Sequence, residues 1–163
     1  MPNHPTYLHD KWVFTQTFGD SSSGERFSLL PAHQERSIKI AQIELWCGDS
    51  YGGWPNGVYT VEGIRITWKD DSFHEAGRCS ATPTKTFGFE DDELITGMSI
   101  RSNWRVDKIH FETNRSNTLD CGGSGGSKTQ LSDIGNGQLV GVQGTANSHL
   151  LSLSFVFWKK ESA

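Results

Sequence analysis

Three stretches of the chain decide its fold: Val61-Glu62-Gly63-Ile64-Arg65-Ile66, Val106-Asp107-Lys108-Ile109-His110-Phe111 and Leu150-Leu151-Ser152-Leu153-Ser154-Phe155. Apolar residues recur in each at a period near two, the mark of a strand with one face buried. Each follows a second stretch of the same kind: Ile43-Glu44-Leu45-Trp46-Cys47-Gly48, Ile95-Thr96-Gly97-Met98-Ser99-Ile100 and Leu139-Val140-Gly141-Val142-Gln143-Gly144. The three pairs align, and the equivalent positions Glu62, Asp107 and Leu151 lie 45 and 44 residues apart. The repeating unit reads as strand, exposed loop, strand and return hairpin. Glycine-bearing loops recur with it, at 19–24, 74–77 and 121–126. Three such units predict an all-β fold with pseudo-threefold symmetry, a closed prism or trefoil-like body. Closure also removes most of the unpaired strand edges that would template association.

The rest of the chain agrees with this reading. Gly, Asn and Asp punctuate the apolar runs, and Pro2, Pro5, Pro31, Pro55 and Pro83 all fall outside them, as strands require. Only 90–94 has local helical character. With 163 residues and 18.1 kDa the chain fits one domain, although two small ones are within range. Its apolar content is carried by 9 Phe, 6 Trp and 3 Tyr, so a few large rings fill the core.

Charge and cysteine content exclude several classes. Fifteen Lys and Arg against 19 Asp and Glu give a net charge of −4, the wrong sign for a protein living on phosphate contacts, so nucleic-acid and anionic-membrane partners are not expected. The longest apolar run, 151–158, is far short of a bilayer span, and the first dozen residues lack the apolar core of a signal peptide. Cys47, Cys79 and Cys121 are odd in number, widely spaced and without a C-x-x-C pair. Reduced thiols and a cytoplasmic location are therefore expected, with non-classical secretion left open, and with neither a disulfide framework nor a zinc ribbon.

Ile95-Thr96-Gly97, Ile109-His110-Phe111-Glu112-Thr113-Asn114, Gly122-Gly123-Ser124-Gly125-Gly126 and Leu139-Val140-Gly141 with Gly144 stand in an order and spacing that resembles the jacalin-related lectins. The resemblance covers residues 13–158, leaving 1–12 as an N-terminal extension and 159–163 as a tail. It implies a β-prism of three four-stranded antiparallel sheets. It also implies sugar binding at paired loops on one end, with no metal, no cofactor and no catalysis. In the family's main site an Asp in the last loop grips two sugar hydroxyls. Leu151 stands there in this chain, and the first glycine loop reads GDSSSG. That site, with Gly19, Asp20, Asn147, Ser148 and His149, is therefore expected to be weak.

The equivalent place in another repeat is better equipped. Asp107 follows the loop Asn103-Trp104-Arg105, and its partner loop by symmetry keeps its glycines over 122–126, Gly122 and Gly123 first among them. A carboxylate accepts charge-assisted hydrogen bonds from neighbouring hydroxyls, glycines let a ring approach the backbone, and Trp104 can cover an apolar sugar face. The plainer alternative is that Asp107 pairs with Arg105 or Lys108 on a solvated hairpin. Glu62 with Tyr59 gives a third, weaker candidate, with Tyr51 and Trp54 as exposed platforms.

Other patterns are set aside. Gly122-Gly123-Ser124-Gly125-Gly126 with Asp133 and His149 matches a hydrolase order, but no strand-to-helix elbow follows. Gly122 to Thr129 is a near-miss for a phosphate loop for the same reason. Glu90, Asp91, Asp92 and Glu93 read as a solvated loop, and His110 as an outward strand residue. The expected function is a carbohydrate-binding protein that takes mono- or oligosaccharides, with a homodimer adding avidity. The alternatives are a prism that has become a protein-interaction module, and, further off, a small-molecule enzyme with a deep aromatic pocket.

Overall fold

The computed structural model describes residues 8–32, 38–48 and 59–160; Tyr51 and Trp54 lie outside them. After a 3-10 turn, Leu8–Lys11, the chain forms thirteen strands among the described residues. These are β1 (Trp12–Phe14), β2 (Phe18–Gly19), β3 (Glu25–Leu29), β4 (Ile40–Gly48), β5 (Thr60–Trp68), β6 (Phe73–Gly77) and β7 (Lys85–Gly88). β8 (Ile95–Ser102), β9 (Val106–Thr113), β10 (Thr118–Gly122), β11 (Ser127–Gln130), β12 (Leu139–Ala146) and β13 (Leu150–Trp158) follow.

They make three antiparallel sheets, one for each repeat. The first unit is ordered β1-β13-β12-β3, the second β6-β5-β4-β7 and the third β10-β9-β8-β11. In the first, β2 also pairs with β13, so one edge position is shared by two short strands. At the break between them the Thr15 hydroxyl accepts the Phe155 N–H at 2.9 Å, so β13 keeps a partner there. This sheet is built from both ends of the fold, with β1 to β3 from one and β12 and β13 from the other. The resemblance to a three-sheet β-prism is correct, and segment 90–94 is turn and loop, not helix.

One face of each sheet turns inward. Leu45, Ile66 and Trp68, Met98, Ile100 and Phe111, and Leu153, Phe155 and Phe157 contribute fully buried side chains from the three sheets to a common core. Trp68 satisfies its buried indole N–H by donating to the Val140 carbonyl at 3.1 Å, which ties the second unit to the first. Rings bury the most area per residue, which explains how a chain with 34% hydrophobic content closes a core.

The cysteine expectation is corrected. Cys47 and Cys121 form a disulfide, joining the end of β4 to the end of β10 across two sheets. Their 74-residue separation hides the pairing from any spacing rule; threefold packing brings the two strand ends together. Cys79 is the free cysteine, and burial pushes its thiol up to about 11.

Candidate functional site

Each of the three central hairpins has two register shifts, and the one nearer the hairpin loop bears on the site. Between β4 and β5 the register runs from Trp46↔Gly63 to Cys47↔Val61, leaving Glu62 as the extra residue. Between β8 and β9 it runs from Arg101↔Lys108 to Ser102↔Val106, leaving Asp107. Between β12 and β13 it runs from Thr145↔Ser152 to Ala146↔Leu150, leaving Leu151. The three positions equated by the sequence repeat are thus the three bulge residues, and a bulge re-aims the side chain of the residue it inserts.

Each bulge is held by the glycine that ends the neighbouring strand, β2, β6 or β10. Gly19, Gly77 and Gly122 all have φ between +77° and +125°, and a Cβ on any of them would lie 2.0–2.2 Å from the bulge carbonyl. The next residue then donates its N–H to that carbonyl: Asp20 to Leu151, Arg78 to Glu62 and Gly123 to Asp107, each at 2.9 Å. The recurrence of glycine loops in the sequence has this physical cause.

Among the described residues, the third unit is the one that places its bulge carboxylate under a glycine-rich loop. Asp107 is buried, and a Cβ on Gly126 would stand 2.6 Å from its Oδ2. Arg101 holds the loop from the adjoining strand, its Nε donating to the Gly125 carbonyl at 3.1 Å and an Nη to Gly126 at 3.3 Å. Arg105 lies 3.5 Å from Asp107. Burial pushes the Asp107 carboxyl up from its ordinary value, and the charges of Arg105 and Arg101 pull it only part of the way back. The plainer alternative is right about the Arg105 pair and wrong about solvation. Lys108 turns instead to Asp120.

A cleft of about 570 Å³ opens over this carboxylate. Asn103, Trp104, Arg105, Asp107, Gly125 and Gly126 line it from the third unit; Asp20, Ser23, Asn147, His149 and Leu151 line it from the first. Trp104 is 79% exposed and stands as a projecting apolar surface. Asp20 accepts from the N–H and hydroxyl of Ser22, which holds its carboxyl below the ordinary range. Asn147 accepts the His149 N–H at 3.2 Å. Burial, then the charge of Arg105, lowers the His149 imidazole, with Glu62 opposing.

The cleft therefore joins the first-loop and third-unit candidates. Gly122 and Gly123 shape the bulge without lining the cleft, and Gly123 packs against the Tyr59 backbone. Gly19 does the same for Leu151, and Ser148 is exposed beside His149. Glu62 and Tyr59 do not line it; Glu62 sits against Gly48. Leu151 fills the first-loop position, its Cδ1 2.6 Å from where a Cβ on Gly24 would be. Sequence reasoning missed Arg101, Ser23 and the joining of two units.

The remaining motifs lie elsewhere. Asp133 accepts from the Gly135 N–H, away from the cleft. Asp91 pairs with Lys69, and Asp92 with Arg115. Glu93, which the sequence places in a solvated loop, is buried and accepts from Thr113 and Asn117. His110 stands half-exposed beside Asp120 at 2.8 Å.

Residues 15–156 match the model of the jacalin-like lectin domain. The chain belongs to that family. It is a lectin domain, a carbohydrate-binding protein. Griffithsin, from a Griffithsia species, is 37% identical over 89 residues, which is 53% of this chain and 69% of griffithsin. Among solved structures, a lamprey immune protein superposes with a TM-score of 0.77 at 24% identity. That match covers 94% of the lectin but only 46% of the lamprey chain. A Malaysian banana lectin superposes at 0.69 with 20% identity, covering 91% of this chain and 99% of its own. A mannose-binding jacalin-related lectin from Ananas comosus gives 0.67 at 12% identity, with 91% and 99% covered. At these identities the superpositions carry the shared fold.

Proposed function

We propose that the lectin binds sugar in the cleft over Asp107, without turnover. The carrying observation is the buried carboxylate under Gly126, at the floor of a cleft flanked by an exposed tryptophan. Asp107 accepts from two neighbouring hydroxyls, and the exposed turn offers the Trp104 backbone N–H to a ring or hydroxyl oxygen, the Asn103 N–H being already donated to the Arg105 carbonyl at 3.1 Å. Trp104 covers the apolar face of the ring. Leu151 in the first unit cannot accept a hydrogen bond, which supports placing the polar grip in the third unit. The Ananas comosus lectin is mannose-binding, which supports mannose as the first sugar to try.

A glycan array with wild type and Asp107→Asn tests this. The expected result is binding by wild type that falls at least about tenfold in the variant, one charge-assisted bond pair being worth more than about 1.4 kcal/mol. Equal binding by both proteins would move the site elsewhere. Silence from both would favour the protein-interaction reading, which the filled first-loop site supports. Pairing of two copies would multiply weak sites into useful avidity, and sedimentation equilibrium reads that directly.

We also place the lectin in an oxidising compartment instead of the cytoplasm, because an inter-sheet disulfide such as Cys47–Cys121 persists where thiols are not kept reduced.

A further inference from the structure

Two units of the prism meet in one cleft, and they bring unlike chemistry to it. The third unit supplies the buried carboxylate of Asp107 with Arg105 beside it. The first supplies Leu151 at the equivalent bulge, with Ser23, Asp20 and Asn147 around it. One end of the cleft thus presents a carboxylate, and the other a polar rim around Leu151, which is 7% exposed.

We propose that this second end is a distinct subsite and that the ligand is at least a disaccharide, bound across the boundary between the two units. The inference rests on the assignment of the first ring to Asp107. The volume of about 570 Å³ lies in the range of sites that enclose drug-sized ligands, larger than one pyranose fills. The second ring meets no bulge carboxylate. The small part of Leu151 left exposed is apolar, so at that point the ring turns a C–H group and not a hydroxyl toward the protein. Asp20 spends Oδ1 on Ser22, and Asn147 spends Oδ1 on His149; the remaining polar atoms serve hydroxyls on the ring's edge. Leu151 therefore does more than remove the first-unit site: it turns that site into an extension of its neighbour, selecting for chain length and for the face presented by the second sugar.

The test is calorimetry with the methyl glycosides of mannose, glucose and galactose and with their 2-, 3- and 4-linked disaccharides. Wild type is expected to bind at least one disaccharide about tenfold or more tightly than the corresponding methyl glycoside. That ratio is expected to fall below about threefold in Leu151→Ala and in Ser23→Trp, the latter filling the subsite from an exposed position. The second variant keeps the test decisive if the first fails to fold. Equal affinities for one and two rings in wild type, or an unchanged ratio in a folded variant, overturn the subsite. Monosaccharide binding that survives Asp107→Asn overturns the first-ring assignment instead. Failure of every sugar to bind wild type overturns both.

Discussion

Asp107 combines a polar role with a buried place, and the conflict has a measurable consequence. Burial raises its carboxyl above the ordinary aspartate value, so it takes up a proton earlier on acidification than an exposed Asp does. Sugar hydroxyls need the ionised form as acceptor. Affinity is therefore expected to fall as pH drops, with the decline beginning above the ordinary aspartate range, in calorimetric titrations from neutrality into mild acid. A profile flat through that interval would remove the carboxylate from the binding step. For stability the sign is opposite: a carboxyl raised in the folded state opposes folding when ionised, and acidification through its folded value relieves that cost. Glu93 runs the other way. Burial alone would raise it, but hydrogen bonds from Thr113, Asn117 and the Glu90 N–H outweigh burial and hold it low. Its contribution is present above the ordinary glutamate value and is lost as pH falls through the depressed one. Asp107 was legible as a candidate in the sequence because the repeat equates it with Glu62 and Leu151. Arg101 was not, since nothing local shows that an alternating strand residue reaches a loop carbonyl two dozen residues later.

The loop 122–126 is where one added carbon has the largest predicted effect. Gly126 sits at φ +67°, and a Cβ there would meet both Asp107 Oδ2 at 2.6 Å and the Ser102 carbonyl oxygen at 2.7 Å. Gly126→Ala is expected to lower unfolding free energy by about 1–3 kcal/mol and to weaken sugar binding at least as much as it destabilises. Urea titration and calorimetry on the same preparation check both; full affinity in a destabilised variant would separate loop shape from recognition. The strands themselves were legible from alternation. Their bulges were not, because a one-residue register shift leaves no mark beyond the spacing of the repeat. The interrupted edge formed by β1 and β2 was equally hidden, because both strands pair with β13, far away in the chain.

Threefold architecture was readable from three aligned hairpins; what crosses between the units was not. The Cys47–Cys121 bond joins the second unit to the third beside the glycine loop, and the cleft joins the third to the first. Both depend on packing between segments that are distant in the chain. The disulfide closes a long loop, so its removal is expected to cost about 2–4 kcal/mol. Thermal unfolding of the Cys47→Ser, Cys121→Ser double variant, or of wild type under reductant, measures that cost. An unchanged midpoint in the reduced protein would show that packing alone fixes the junction. Cys79 is not expected to exchange into the bond, because its raised thiol is scarcely ionised near neutrality.

The first unit's sheet, with β1 and β2 laid against β13, also sets an order of events during synthesis. The N-terminal strands leave the ribosome first, yet their partner is made well over a hundred residues later. At about 5–20 residues per second they wait on the order of ten seconds with Trp12 and Phe18 uncovered. The other two sheets are each contiguous in the chain and can pair while translation proceeds. Newly made lectin thus passes through a stage in which two sides of the prism stand and the third is open, the stage at which a chaperone has the most apolar strand to hold.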